Sequence, residues 1–296
     1  MNTKIVKIIA TSFYFRTIRM NTVLCGNPPV YTLHSQNFTS NKEIEDLILF
    51  NIEKENQCNP GLPVDIAFVN NDVGNHEGNK FIEELKNKKL KNGKIIIIQN
   101  GNSGWSYGAF NKGFEVLKNN YDYFIFTEDD MIIAKNNYAK ISLDTFFNTE
   151  NCGFVSYGGI TSWFEVEGNN ENFIHAHGAW GFTSKKILDK IYYKYGSLPH
   201  SKHSEKKYYN DVITEGEIKF TNLIFKMGYN LVEPSQKLFE PAYDLMRGII
   251  KPWKPSKFTG LKWLLTNKIR KQSYKLLVFL KLYKLYRSIK TRIFSS

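Results

Sequence analysis

Cysteine is scarce in this sequence of 296 residues, which holds only Cys25, Cys58 and Cys152. Three scattered cysteines are too few for a disulfide framework or for a four-ligand zinc site. Their scarcity favours a protein of a reducing compartment. Proline and glycine, at 9 and 20 residues, are not enriched, which excludes collagen-like and linker-like chains.

Long apolar runs are also missing. The longest lie at residues 95–98 and 276–280, whereas a membrane-spanning helix needs about 20 consecutive apolar residues. Lys7 and Arg16 interrupt the apolar start of the chain, so the sequence predicts no secretory signal there. From these absences we expect a cytoplasmic protein.

Acidic residues are absent from the last 50 positions of the chain. Residues 247–296 contain 14 of the 40 Lys and Arg and none of the 28 Asp and Glu. The rest of the chain therefore has a net charge of −2, although the whole chain has +12. This partition predicts a nearly neutral domain at residues 1–245 and a basic tail at residues 246–296.

The composition before the tail is that of a folded α/β domain. Hydrophobic residues make up 42% of the chain and aromatic residues 15%, which excludes overall disorder. Runs of β-branched residues alternate with apolar residues at helical spacing, which predicts crossover helices and a mainly parallel central sheet. The predicted strands are residues 5–13, 64–69, 95–98, 123–127 and 153–157, and the predicted helices are residues 41–53, 81–90, 107–119, 184–195 and 217–227.

Polar residues close each strand predicted in the first half. Thr11 and Ser12 lie at the end of the first strand, and Asp72 and Asn100 follow the second and third. Ligands of open α/β sheets bind outside the carboxyl ends of the strands, so we expect a polar site at one edge of the sheet. The alternative is that these residues form ordinary polar turns.

Three adjacent carboxylates, Glu128, Asp129 and Asp130, follow the hydrophobic strand predicted at residues 123–127. Their charges repel one another, and a divalent cation relieves that repulsion. Hard oxygen ligands suit Mg²⁺ or Mn²⁺, which bind one or two protein carboxylates and take further ligands from water and substrate phosphates. An acidic surface turn is the alternative interpretation.

The order of these motifs resembles the nucleotide-sugar half of family 2 glycosyltransferases, which have the GT-A fold. The resemblance rests on Asp72 after the second strand, an Asn-Gly turn that begins at Asn100, a helix that carries Asn111 and Gly113, and the acidic run at residues 128–130. It extends over about residues 3–240 and implies a nucleotide-sugar-binding half at residues 1–130 and an acceptor half at residues 131–245.

The resemblance assigns expected roles to individual residues of the donor site. Thr11, Ser12 and Asp72 would border the nucleoside, Asn100 and Asn111 would also belong to the donor site, and Asp129 would lie at the ribose. Asp130, with Glu128 beside it, would bind the metal at the diphosphate.

The sequence departs from the family pattern at three places. Glu128 replaces the first Asp of the DxD-type motif and is one methylene longer. Phe110 stands where the family usually has Arg, so one phosphate contact is either absent or supplied by Lys112. In the second half, Glu217 occupies the position of the Asp in the family's Glu-Asp pair.

The second half contains the candidate catalytic and acceptor residues. The resemblance implies that Glu217, on the first turn of the last predicted helix, is the general base, with Glu215 as the alternative. An exposed carboxylate favoured by the helix dipole is the other interpretation of Glu217. Trp180 and His177 are candidate acceptor contacts, although Trp180 also suits a core position and the two-residue spacing from His175 to His177 is also found in metal sites.

The basic tail has an amphipathic pattern. If the tail is a helix, five apolar residues lie on one face of it, and the neighbouring Lys and Arg lie outside that face. The apolar residues are Phe279, Leu282, Tyr286, Ile289 and Ile293. This pattern predicts binding of residues 261–296 to an anionic membrane surface. A helix that packs on the domain and a nucleic-acid-binding helix are the alternatives, and we expect no nucleic acid.

Together these observations predict a metal-dependent, inverting glycosyltransferase that uses Mn²⁺ or Mg²⁺ and a nucleotide-sugar donor. The acceptor would be a saccharide or a lipid-linked glycan at the inner face of the membrane, as in surface polysaccharide synthesis. A nucleotidyltransferase of the same fold is disfavoured because no Gly-rich basic phosphate loop is found. The alternative from another class is a non-catalytic GT-A-like scaffold with a membrane-binding tail.

Overall fold

The protein contains a seven-stranded sheet in its computed structural model, which describes residues 3–15, 17–24, 30–37, 40–164, 172–203 and 209–241. The strands of the described residues are β1 (Ile5–Thr11), β2 (Thr17–Leu24), β3 (Val30–Asn37), β4 (Val64–Asp72), β5 (Ile95–Gly101), β6 (Tyr123–Glu128), β7 (Met131–Ile133), β8 (Cys152–Ser156), β9 (Ile160–Phe164), β10 (Asn172–Ala176), β11 (Gly181–Ser184), β12 (Asn230–Val232) and β13 (Phe239–Pro241). The helices are α1 (Asn41–Gln57), α2 (His76–Glu84), α3 (Trp105–Leu117), α4 (Tyr138–Asn148), α5 (Lys185–Tyr195), α6 (Tyr209–Val212) and α7 (Lys219–Lys226).

The order of strands in the central sheet is β12-β8-β11-β6-β1-β4-β5. Parallel pairing joins β6, β1, β4 and β5, and also joins β12 to β8, whereas β11 runs antiparallel to both of its neighbours. The mainly parallel α/β sheet predicted from the sequence is therefore confirmed. From β1 the chain first adds β4 and β5 on one side and then returns to place β6 on the other, so the direction of winding reverses between β1 and β6.

The chain divides into two compact units, one of Met1–Phe15 with Thr39–Met246 and one of Arg16–Phe38 with Arg247–Ser296. The central sheet belongs to the first. The described part of the second is a hairpin of β2 and β3, in which Thr17 pairs with Asn37 and Leu24 with Val30. The predicted basic helix of the tail lies outside the described residues.

Successive side chains of β1 lie on opposite faces of the sheet. Val6 and Ile8 belong to the core on one face, together with aromatic residues of α3 such as Phe114. On the opposite face the fully buried ammonium of Lys7 forms an ion pair with Glu55 of α1. The attraction to the opposite charge of Glu55 offsets the cost of removing the ammonium from water.

Side-chain caps explain where two predicted helices begin. Ser40 and Glu43 form a capping box at the start of α1, and the Ser184 hydroxyl accepts a hydrogen bond from the Ile187 backbone at the start of α5. The helix predicted at residues 81–90 instead begins at His76, where Asn75 caps it, and ends in a 3-10 turn at Leu85–Asn87.

The last predicted helix starts earlier than its sequence pattern indicates. The helical run begins with α6, continues as a π-helical segment at Ile213–Ile218 and ends with α7. Glu217 therefore lies inside a helical run, and the prediction that it occupies a first turn is wrong. Within the described part of the chain, no helix is both long and apolar enough to cross a bilayer.

Candidate functional site

The carboxyl ends of β6, β1, β4 and β5 lie side by side at one edge of the sheet. The register aligns Ala10 with Glu128, Thr11 with Asn70, and Asn71 with Asn100. The polar residues predicted to follow separate strands are thus brought to one edge. The reversal of winding between β1 and β6 falls within this edge, where open α/β sheets bind their ligands.

The turn after β6 is attached to β1 by a buried hydrogen bond. Thr11 Oγ1 donates to Asp129 Oδ2 at 2.9 Å, and the Asp129 backbone N–H donates to Ala10 O at 3.1 Å. From α1, Asn51 Nδ2 donates to the Asp129 carbonyl at 3.1 Å. Asp129 is therefore buried, while Glu128 and Asp130 on either side of it are partly exposed.

A second network joins the ends of β1, β4 and β5. Ser12 Oγ donates to Asn71 O at 3.0 Å, and Asn100 Nδ2 donates to Asn71 Oδ1 at 2.7 Å. Asn71 Nδ2 in turn donates to the carbonyl of Trp105, where α3 begins, at 3.0 Å. Asn71 also belongs to the polar end of this strand in the sequence, but only the neighbouring Asp72 was predicted to belong to the donor site.

Asp72 is exposed at the end of β4. Its carboxylate accepts hydrogen bonds of 2.8 Å from Asn79 Nδ2 and from the Gly74 backbone, and these bonds lower its pKa. Asp72 is thus held ionised at the rim of the sheet edge.

Asn111 makes its described contacts away from the strand ends. Its Nδ2 donates to Glu115 on the next turn of α3 at 3.1 Å, and its Oδ1 accepts from the Leu198 backbone at 2.8 Å. Phe110, where the family usually has Arg, lies in the core against Phe126 with ring centroids 4.9 Å apart. These contacts hold the chain around Leu198 in place, and the predicted donor contact of Asn111 stays a prediction.

The start of α3 approaches the end of β6. Gly104 caps the helix in a left-handed conformation with φ of 68°, and Trp105 follows with φ of 52°, which is rare for a residue with a side chain. This backbone places Ser106 so that its hydroxyl donates to Glu128 Oε1. Ser106 had no distinguishing sequence signal, because serine near a helix start is common.

Glu217 lies at the centre of a buried polar cluster. Tyr107 on α3 donates its hydroxyl to Glu217 Oε2 at 3.0 Å. Glu217 Oε1 lies 3.2 Å from His177 Nδ1 and 3.5 Å from Nε2 of the buried His175. The π-helical segment places this carboxylate inside the cluster, whereas Glu215 on the same segment is exposed. Such segments are frequent at functional sites.

The electrostatics of the cluster keep Glu217 ionised. Burial by itself would raise the pKa of Glu217, but hydrogen bonds from His175, His177 and the Gly178 backbone outweigh burial and lower it to about 2. The same contact has the reciprocal effect on the histidine. The hydrogen bond to Glu217 raises the pKa of His177 against the opposing effect of burial, and the charge of Glu128 raises it further.

Two glycines leave the space that the aromatic side chains of the cluster occupy. A Cβ on Gly216 would lie 2.2 Å from the ring of Tyr107, so only glycine leaves room for the tyrosine to reach Glu217. A Cβ on Gly178 would lie 2.5 Å from the indole of Trp180, and Gly178 also has φ of 69°.

Trp180 is partly buried and packs on the core residues of both sheet faces. Its indole also lies edge-on to His177, with ring centroids 5.7 Å apart. The indole therefore packs against the core, as the alternative interpretation required, and also borders His177. The acceptor contact of Trp180 stays a prediction.

The carboxylates at the end of β6 fit a hard divalent cation by their chemistry. Among the described residues, no three His, Cys, Asp or Glu side chains are grouped so as to hold a metal ion. Mg²⁺ and Mn²⁺ do not require such a cage, because one or two carboxylates suffice when substrate phosphates and water complete the shell. Glu128 and Asp130, both partly exposed, provide that number.

A search with models of protein families found no match for this chain, and a search among curated proteins found no similar sequence. The functional assignment therefore rests on the geometry of the sheet edge and of the cluster around Glu217.

Proposed function

We propose that this protein is a metal-dependent glycosyltransferase of GT-A type that transfers a sugar from a nucleotide sugar to a hydroxyl acceptor with inversion. The observation that carries the proposal is the proximity of two groups of residues at the sheet edge. Consecutive residues of α3 bind the two groups: Ser106 donates a hydrogen bond to Glu128 at the end of β6, and Tyr107 donates one to Glu217, which contacts His177. A candidate metal-binding carboxylate and a candidate proton acceptor are thus hydrogen-bonded to neighbouring residues of one helix.

The donor half of the proposal uses the strand ends. The nucleoside would lie beside Thr11 and Ser12 at the end of β1 and Asp72 at the end of β4, outside the carboxyl ends of the strands. The buried Thr11–Asp129 hydrogen bond keeps the turn after β6 in a fixed position before the donor arrives. A prearranged turn lowers the cost of ordering the site upon binding.

Asp130 and Glu128 would hold the Mn²⁺ or Mg²⁺ ion. When bound, the ion would neutralise charge that develops on the leaving diphosphate. Ser106 donates to Glu128 and so orients one of these two carboxylates. Hydrogen bonds from neighbouring residues commonly hold metal-binding side chains in position.

The acceptor half of the proposal uses the cluster around Glu217. Inversion follows from a single displacement, in which the acceptor hydroxyl attacks the anomeric carbon on the face opposite the diphosphate. That attack needs one proton acceptor on the acceptor side. The cluster of Glu217, His175 and His177 would offer it.

We propose further that residues 261–296 hold the enzyme at the inner face of an anionic membrane. The support is the amphipathic pattern of these residues and their lack of acidic side chains. A lipid-linked acceptor would be present at the same membrane, consistent with synthesis of a surface glycan.

A thermal-shift panel tests the nucleotide-sugar assignment. We expect one nucleoside diphosphate among UDP, GDP, dTDP and ADP to raise the melting temperature in the presence of Mn²⁺ and far less in the presence of EDTA, because a ligand that binds only the folded state stabilises it. Incubation with the corresponding nucleotide sugar should release the nucleotide slowly. No shift with any nucleotide would contradict the proposal, and a shift without any release would favour the binding scaffold.

A further inference from the structure

Glu217, predicted to be the general base, is enclosed by donors from its own protein. It is 4% exposed, and its oxygens face the Tyr107 hydroxyl, the rings of His175 and His177, and the Gly178 backbone N–H. A carboxylate has about four lone-pair positions, and four donors are directed at these. A general base must come within hydrogen-bond reach of the hydroxyl that it deprotonates. Glu217 has little capacity left for an acceptor.

His177 is placed differently. Its side chain is 62% exposed, while its Nδ1 lies 3.2 Å from Glu217 Oε1. A carboxylate can only accept a hydrogen bond, so the contact requires the proton on Nδ1 and leaves the lone pair of the neutral ring on Nε2. The ring thus carries its basic nitrogen on the side away from Glu217.

The orientation of the ring is held by its neighbours. Trp180 packs edge-on against it. The backbone of His177 donates to Gly159 O at 2.9 Å, and the following residues, Gly178 and Ala179, both have positive φ. Positive φ at Ala179 is uncommon for a residue with a side chain, and strained residues of this kind cluster at functional sites.

We propose that His177 is the catalytic base of the transfer and that Glu217 is a positioning residue that acts through it. The inference rests on the proposed glycosyl transfer. The acceptor O–H gives its proton to Nε2, and the oxygen forms a bond to the anomeric carbon. The bond from that carbon to the diphosphate breaks, and its electron pair leaves with the nucleoside diphosphate. Glu217 stabilises the resulting imidazolium across the Nδ1 contact.

The charged groups around His177 agree with this division of roles. Glu217 on the π-helical segment favours the protonated ring, as does Glu128 on β6 while it holds no metal ion, and the buried His175 on β10 shares Glu217 with it. Removing the charge of Glu217 must therefore lower the pKa of His177. A direct role of Glu217 would instead link the rate to its own pKa, which is about 2.

The test uses the UDP-, GDP-, dTDP- or ADP-sugar whose nucleoside diphosphate gives the largest thermal shift. It measures release of the nucleotide in the presence of Mn²⁺, with water in place of the acceptor. We expect His177→Ala and His177→Gln to lower release by about 10²- to 10⁴-fold. Both should keep the Mn²⁺-dependent thermal shift of the wild type, because His177 does not hold the nucleotide. The exposed His203, changed to Ala, is the matched control and should release nucleotide at the wild-type rate.

Two further readouts separate a base from a structural role. Imidazole in the buffer should restore release to His177→Ala, and Glu217→Gln should move the midpoint of the pH–rate profile to lower pH in addition to slowing release. If release by His177→Ala stays within threefold of the wild type, or imidazole has no effect on it, His177 is not the base. Failure of the proposed function would look different, because the wild-type protein itself would then release no nucleotide.

Discussion

The hydroxyl of Thr11 and the carboxylate of Asp129 form a buried hydrogen bond of 2.9 Å, although 118 positions separate them in the chain. The bond joins the end of β1 to the turn after β6, across the place where the winding of the sheet reverses. As a consequence, Asp129 is directed inward, and only the outer two of the three carboxylates, Glu128 and Asp130, remain partly exposed.

Asp130→Asn should abolish the Mn²⁺-dependent thermal shift with nucleoside diphosphate and leave the melting temperature of the protein alone nearly unchanged. The substitution removes the charge of a partly exposed carboxylate and keeps its shape. Thermal shifts with Mn²⁺ and with EDTA measure the effect. Asp144→Asn, which removes an exposed carboxylate of α4, is the control and should bind as the wild type does. A full Mn²⁺-dependent shift in Asp130→Asn would refute the metal assignment.

Gly216→Ala should destabilise the protein by about 1–3 kcal/mol, as expected for overpacking. In an ordinary helix this substitution stabilises, because glycine has the poorer helix propensity. Here the added Cβ would lie 2.2 Å from the Tyr107 ring, which must move away from Glu217. Urea unfolding measures the change. Gly101→Ala is the control, since its Cβ would meet nothing within 4 Å and should change the stability by less than about 0.5 kcal/mol.

Acid should destabilise the protein partly through Glu217. Its pKa is lowered from 4.5 to about 2 in the folded state, so its contribution is present above pH 4.5 and is lost as the pH falls towards 2. That contribution is on the order of 3 kcal/mol. In Glu217→Gln, the free energy of unfolding should therefore decrease less steeply between pH 4.5 and 2 than in the wild type. Denaturant unfolding at several pH values measures this. Glu84 is exposed on α2, so the control Glu84→Gln should show the same dependence of unfolding free energy on pH as the wild type. If Glu217→Gln also shows the wild-type dependence, the explanation is wrong.

Removal of residues 261–296 should release the protein from anionic liposomes without changing its nucleotide-dependent thermal shift. Each basic side chain near an anionic surface contributes on the order of 1 kcal/mol, and salt screens this attraction. Burial of the apolar face at Phe279, Leu282 and Tyr286 contributes binding free energy that salt does not screen. Binding of the full chain should therefore weaken at high salt but persist. Co-sedimentation with and without anionic lipid measures both. Equal binding of the truncated chain would show that another surface binds the membrane.

Much of the first half of the sheet was predictable, because short β-branched runs with polar ends indicate buried parallel strands. Helix α4 was not predicted, since it contains β-branched and aromatic residues with weak helix propensity. It forms because Tyr138 and Ala139 pack into the core against Phe239. The hairpin of β2 and β3 was also missed: its antiparallel pairing depends on a partner strand, which the pattern of a single strand does not reveal.

The sequence by itself determined the properties that short windows of residues carry. These are the alternation of strands and helices, the three carboxylates after residue 127, and the concentration of positive charge after residue 246. Only the tertiary structure decided which polar residues meet. It joined Tyr107 and His177 to Glu217, while it directed the side chain of Asn111 to Glu115 and Leu198. The physical reason is that contacts such as the one from Tyr107 to Glu217, across 110 positions of chain, depend on how elements pack, and no local pattern encodes that packing.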